Sequence, residues 1–537
     1  MIYSDSEITP EELTFDGVNI PVYTFDTVIV GSGAAGLSAA GALLFMGYNN
    51  IAVITESMKS GASKNPAENN RTYYKIASAD SVREMAKDLF GGFSMDGDIA
   101  LTQAAYSARC FYRLTGLGVD FPQNIYGEFA EYGEAARNAD AGPLTAKKIA
   151  EAAEADTLDK NIPVFNRFRV ISVIKDSEDN AAGILAIDKD MQKTYAEQIR
   201  EYNLITRINN ANRSIFGKIA KYKAAVANAP EPEPEPPQGN EFGYALFRAA
   251  NIIYATGAPA GIYTDGAHFY QQSATCSFGA ALLAGVRGKN LTETVFKDSK
   301  AYRFNGGLEC DIYSESNIKH FFPVGENAAV FGVNAPEGAA LAAAQITAYR
   351  AAEKIAADYK DIKSEQTSLQ EFAIFAAGET NKYINAARLL LKGAVKNAVS
   401  ENVPEMRAKY RERFSECCMA ERALDDITLA AADCRYDIAN FINDNKIDDI
   451  TYLSDVFENY DILVTQYAFL HAVRNYILSG GQSRGTYNIV KNEQEQELEP
   501  RDFNGLVSFL KIKNATTFEI EFSTREVNPI PEKSEIS

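Results

Sequence analysis

The sequence predicts an α/β fold: a parallel, doubly wound unit first, then a helical bundle, then a short β-hairpin. Three observations predict it. Residues 26–36 read DTVIVGSGAAG, an apolar β-branched run that turns through closely spaced glycines into an Ala/Leu-rich stretch. Residues 366–479 are rich in Ala, Leu, Glu, Lys and Arg at helical spacing, as at Ile384, Ala387, Leu390 and Leu391. Residues 506–524, LVSFLKIKNATTFEIEFST, alternate apolar and polar around Asn514-Ala515.

The first element is the most informative. Residues 26–30 suit a buried parallel strand, and residues 37–46 continue as a helix. Gly31, Gly33 and Gly36 stand between them with G-x-G-x-x-G spacing. In a Rossmann-like unit the first glycine permits the tight turn, the second lets the backbone approach a pyrophosphate, and the third lets helix and strand pack closely. The phosphates rest on the positive helix N-terminus, here the backbone of Ser32, Ala34 and Ala35. A second apolar strand, residues 51–55 (IAVIT), ends in Glu56. That acid falls about 20 residues beyond the last glycine, where a ribose-binding carboxylate belongs. The competing reading is a glycine turn in an unrelated α/β unit, with Glu56 a surface charge. The motif does not separate NAD from FAD.

The remaining elements follow in order. With 537 residues, 46% of them hydrophobic, the chain can bury a large core in two to four units. We read residues 1–365 as the nucleotide unit, interrupted by an insertion at 190–246. Residues 366–480 form a helical domain closed by Gly480-Gly481, and 481–537 the hairpin and an acidic tail. Within the insertion, 195–227 has helical composition and 230–237 reads PEPEPEPP, an extended charged spacer. A net charge of −19 repels nucleic acid. The six cysteines form no C-x-x-C pair, which leaves no iron–sulfur or zinc cassette and suits a reducing compartment; Cys417 and Cys418 read as packing residues. No run of about 18 apolar residues offers a membrane span, and the N-terminus lacks a signal-type apolar region, so the cytoplasm is the default.

Three further segments resemble the fumarate reductase / succinate dehydrogenase / aspartate oxidase flavoproteins, and specifically a bacterial FAD-binding branch. Residues 251–258 (NIIYATGA) resemble the strand whose end returns to FAD, which implies contacts from Ala255, Thr256 and Gly257. Residues 322–328 (FPVGENA) resemble the segment whose Glu binds FAD ribose, implying Gly325 and Glu326. Residues 338–353 resemble the helix whose N-terminus faces the flavin ring, implying Ala340 and Leu341. Ser57, Ser63 and Val170 complete the implied set. Shorter matches at 60–75, 96–98, 121–127, 141–145, 287–292, 305–308, 483–487 and 525–531 extend the resemblance over most of the chain outside 190–246. The implied cofactor is FAD, held non-covalently, since 57–75 lacks the histidine of covalent members.

The sequence also departs from that family. The block resembling H-G-x-x-R-P-G-G reads Phe331-Gly332-Val333-Asn334-Ala335-Pro336-Glu337-Gly338, so the His and Arg expected to clamp a carboxylate are Phe331 and Ala335. The other family histidine is missing from 302–307; Arg303 and Tyr302 are the candidate catalytic residues by position. His268, His320 and His471 read as structural or exposed. Only residues 293–302 separate the segments that normally flank a capping domain, too few to make one. Lys64, Arg71 and Lys75 face either the cofactor or substrate, or solvent. Three functions stay open. One is an FAD oxidoreductase acting on a small molecule other than fumarate or succinate. Another is an electron-transfer subunit docking on an iron–sulfur or similar redox partner, within an oligomer or hetero-complex. The third is an assembly component without chemistry.

Overall fold

A computed structural model of the chain describes residues 2–3, 8–65, 71–219, 240–264, 277–297, 300–392, 402–490 and 498–532. The PEPEPEPP spacer, Cys276, His268 and residues 533–537 lie outside them.

The expected strand at 26–30 is the second half of a longer one, Val18–Val30. Its first half forms an antiparallel hairpin with Glu11–Phe15, turning at Asp16-Gly17. Its second half is flanked by parallel partners, Ile51–Thr55 on one side and Tyr244–Tyr254 on the other. Val164–Asn166 extends the sheet beyond Ile51–Thr55, and Phe321–Pro323 pairs with the end of Tyr244–Tyr254. Every residue of Ile51–Thr55 is buried, which is why that strand reads as unbroken apolar sequence rather than as an alternation. An antiparallel pair, Phe168–Lys175 and Ala181–Asp188, and the edge strand Ile2–Tyr3 against Val164–Asn166 complete the nine-stranded sheet.

The Ala34–Phe45 helix leaves the first parallel strand and is buried through Leu43. It is sandwiched against a second helix, Ala339–Asp358, where the Ser38 hydroxyl donates to Gln345 Oε1 at 2.7 Å. The alanines of both helices allow this close approach. A long helix, Lys189–Ile219, leaves the sheet inside the expected insertion, but Tyr244 already belongs to the sheet, so the excursion ends before residue 246.

Four helices, Leu369–Leu391, Asn402–Cys417, Leu424–Asp444 and Leu453–Leu478, make the bundle. The last is buried on nearly every side, as a central helix must be. The expected hairpin is Leu506–Asn514 with Glu519–Glu526, in a four-stranded sheet with Gly288–Lys289 and Gly307–Leu308. The chain's end then crosses Gly97, where a Cβ would lie 2.3 Å from Ile530 N. Asp96 is ion-paired there to Lys289 (2.6 Å) and Arg525 (2.7 Å), joining three of the separately matched sequence segments. Cys110, Cys310, Cys417, Cys418 and Cys434 are buried free thiols.

Candidate functional site

A cavity of about 550 Å³ opens where the parallel strands end. That is the edge at which α/β sheets bind ligands. Four segments converge on it: the glycine turn, Ile54–Ser57 with 60–63, Ala255–Ala258, and Val324–Glu326 with Ala340, Leu341 and Ala344.

The three glycines do three different jobs. Gly31 has φ +108°, and a Cβ on it would lie 2.3 Å from the Ala255 carbonyl oxygen. A Cβ on Gly36 would lie 2.0 Å from the Gly31 oxygen. Gly33 differs: a Cβ there meets no protein atom within 4 Å, because it points into open space at the start of the Ala34–Phe45 helix. The fold needs Gly31 and Gly36 for itself; Gly33 instead borders the open cavity.

Glu56 stands at the end of its strand on the cavity wall. Arg169 Nη2 and Lys189 Nζ both reach its Oε1, each at 2.5 Å, and Oε2 has no described hydrogen-bond partner. Burial in the fold pushes the carboxyl up, but these two cations outweigh it and hold the group near a pKa of about 2. Glu56 is therefore an ionised acceptor at neutral pH. Beside it the Ser32 hydroxyl is hydrogen-bonded to Thr55 Oγ1 at 2.9 Å, fixing the turn to the neighbouring strand. On the far wall Asn327 Nδ2 donates to Tyr254 O (2.7 Å) and Thr256 Oγ1 (3.1 Å), and Thr347 Oγ1 accepts from Gly325 N at 2.9 Å.

Of the residues singled out from sequence as cofactor contacts, all but Gly36 line this one cavity, and Gly36 packs beneath its turn. Arg303 and Tyr302 do not line it. They lie on Lys300–Phe304, one strand of a small hairpin with Thr294–Lys297. Arg303 Nη2 donates to the Ala335 carbonyl at 2.8 Å and Nη1 to that of Pro336 at 3.4 Å, just ahead of the Ala339–Asp358 helix. Phe331 is core, and Val333 and Asn334 donate to the carbonyls of Phe93 and Gly92 at 2.9 Å. Lys64 and Lys75 are neither cavity residues nor solvated surface: they are buried ion pairs with Glu154 and Glu131. Arg71 lines the cavity. His320 is hydrogen-bonded to Asn251 and burial lowers its pKa; His471, buried near Arg474, falls to about 4.

Sequence reading missed the charged wall opposite the glycines. Arg169, Lys189, Arg407, Arg411, Asp455 and Glu458 all line the cavity. One signal was available: Arg169 interrupts the apolar strand Phe168–Lys175, and a charge inside such a run requires a partner.

Residues 26–274 match the family model described as FAD binding domain. The cradle is built for FAD. The FAD cradle sits in a fold shared over almost the whole chain with E. coli quinol fumarate reductase FrdA, at 13% identity and a TM-score of 0.71, covering 95% of this chain and 98% of that one. The Mycobacterium smegmatis Sdh1 complex gives 14% identity and a TM-score of 0.67 over 96% and 98%. Adenylylsulfate reductase from Archaeoglobus fulgidus gives 12% and 0.62 over 98% and 99%. These are likenesses of fold. No curated protein sequence matches. No described helix is long and apolar enough to cross a membrane, and no described cluster of His, Cys, Asp and Glu suits a metal ion.

Proposed function

We propose that the chain is an FAD-dependent oxidoreductase of the fumarate reductase type, holding FAD non-covalently and acting on a small molecule other than fumarate or succinate. The observation that carries this is Gly33, whose missing side chain leaves open the volume a pyrophosphate needs at a helix N-terminus. Gly31, Ser32, Gly33, Ala34 and Ala35 would present backbone amides to the phosphates. Glu56 Oε2 would accept a ribose hydroxyl, with Ser57 and Val170 beside the adenosine. Ala255, Thr256, Gly257, Gly325 and Glu326 would cover the dinucleotide chain. Ser63 and the helix start at Ala340-Leu341 would meet the ring. When bound, FAD supplies the hydride acceptor and donor; the helix N-terminus favours negative charge on it. Arg303 and Tyr302, candidates by position, would act from outside the cavity, Arg303 by holding the 335–336 carbonyls ahead of the Ala339–Asp358 helix.

A specific observation also favours a subunit that passes electrons to a partner protein. The positions of the carboxylate clamp are a buried Phe331 and Ala335, and Arg303 is engaged with backbone carbonyls. One structural relative is itself a complex.

Native purification of the full chain decides between these. The flavin spectrum should be present and should pass into solution on acid denaturation. Oxidation of reduced viologen with unsaturated acids by the isolated chain supports the enzyme; flavin reduction only with a co-purifying partner supports the subunit. Protein that stays colourless after incubation with FAD sinks both.

A further inference from the structure

The bundle does more than pack beside the sheet. Its helices Asn402–Cys417 and Leu453–Leu478 supply part of the cavity wall, through Arg407, Arg411, Asp455 and Glu458. They are clasped to the loop that follows the Ala255–Ala258 wall. Gln466 Nε2 donates to the Ile262 carbonyl at 2.8 Å, Tyr263 Oη to that of Cys418 at 3.1 Å, and Arg411 Nε to that of Gly261 at 2.6 Å. A second tie starts from Glu56. Arg169 bridges it to Glu458 (2.9 Å), and Arg407 reaches Glu458 from the other side (3.0 Å). Glu56 is thus linked to Arg407 through three successive ion pairs, by way of Arg169 and Glu458.

Arg411 follows Arg407 by one helical turn, on the same face. The two differ in their partners. Arg407 has Glu458, the Asn459 side chain and the Asp455 carbonyl. For Arg411 the described partner is one carbonyl, and no described carboxylate lies within ion-pair distance. A guanidinium carries five N–H donors, so a single carbonyl leaves most of them to the cavity. Removal from water, and then the neighbouring Arg407 charge, lower the Arg411 pKa against the weaker opposing pull of Glu458, so an anion there would relieve an existing cost. A bland role as a clamp on Gly261 accounts for one of those donors and leaves the missing carboxylate unexplained.

We propose that Arg411 is a nucleotide-binding residue that contacts the adenosine diphosphate half of FAD, so that the helical bundle closes the cavity over that half. The inference rests on the FAD reading of the cradle and adds a residue from outside the sheet.

The test uses the full-length chain freed of flavin, titrated with FAD and with ADP by calorimetry, for the parent, R411Q and R411K. Loss of a charge-assisted contact predicts that R411Q weakens both ligands about ten- to a hundredfold, with R411K between. The flavin-free melting temperature should move little. An arginine-directed dicarbonyl reagent gives a second readout independent of folding: ADP should protect Arg411 from modification in the parent. Equal FAD and ADP binding by parent and R411Q, or modification of Arg411 undiminished by ADP, overturns the proposal while leaving the cradle intact. A parent chain that binds neither ligand overturns the FAD reading itself.

Discussion

Gly33 and Gly332 are both glycines in tight, buried stretches, yet they face opposite circumstances. A Cβ on Gly33 meets nothing within 4 Å, whereas one on Gly332 would lie 1.6 Å from the Phe93 carbonyl oxygen. The first glycine borders the open cavity; the second lets two protein segments touch. The same contrast separates the regions around them. The cradle from Gly31 to Glu56 has polar groups aimed at open space, including one carboxylate oxygen. The segment 331–338 has two of its amides, those of Val333 and Asn334, bonded to 92–93 and two of its carbonyls to Arg303. The cradle is thus open to the cavity at Gly33, and the neighbouring segment is a filled joint.

The largest effects should come from valine at the three cradle glycines. Gly31→Val and Gly36→Val force a Cβ onto backbone oxygen, and should cost about 4 kcal/mol of stability or more, read as loss of the cooperative melt. Gly33→Val should keep the flavin-free melting temperature and lose FAD affinity by roughly a thousandfold or more. Normal flavin content in folded Gly33→Val would break the comparison at its root.

That contrast also marks what could be read from sequence. That Gly31, Gly33, Gly36 and Glu56 meet at one cavity was legible because a strand–turn–helix with that glycine spacing brings its turn and the next strand's end together. The bundle and hairpin were legible from periodicity. The hairpin that precedes Val22 was not, because Glu11–Phe15 lies mostly exposed and shows no clean alternation. Nor was the wall of Arg407, Arg411 and Glu458, since nothing local in a helix records which charge will meet a strand more than 200 residues away. Arg303 was placed by analogy of position; its partners turned out to be carbonyls that only the folded chain brings near.

Glu56→Gln probes the cradle at intermediate strength. Oε2 loses its charge, and Arg169 and Lys189 lose theirs as a target. FAD affinity should fall about ten- to a hundredfold. Stability should fall by about 1–2 kcal/mol, the cavity-facing side chain being partly screened by solvent. The sign with pH follows from the lowered pKa. The Glu56 contribution is full above the ordinary glutamate value near 4.3 and disappears as pH falls through about 2. Parent and variant denaturation curves should therefore differ at pH 6 and converge in strong acid. A difference that grew on acidification would mean Glu56 is not held by its two cations.

The smallest effect sharpens the other side of the comparison. Arg303→Gln removes donors from the carbonyls of Ala335 and Pro336, two hydrogen bonds of which one is long. The expected loss is about 1–2 kcal/mol in denaturant midpoint analysis. FAD content should stay at the parental level, since the cradle is assembled by other segments. A shift in the flavin reduction potential with full flavin occupancy would place the 335–336 joint within electrostatic reach of the ring. A colourless but folded Arg303→Gln would instead make that joint part of the cradle, and the division between open cradle and filled joint would have to be redrawn.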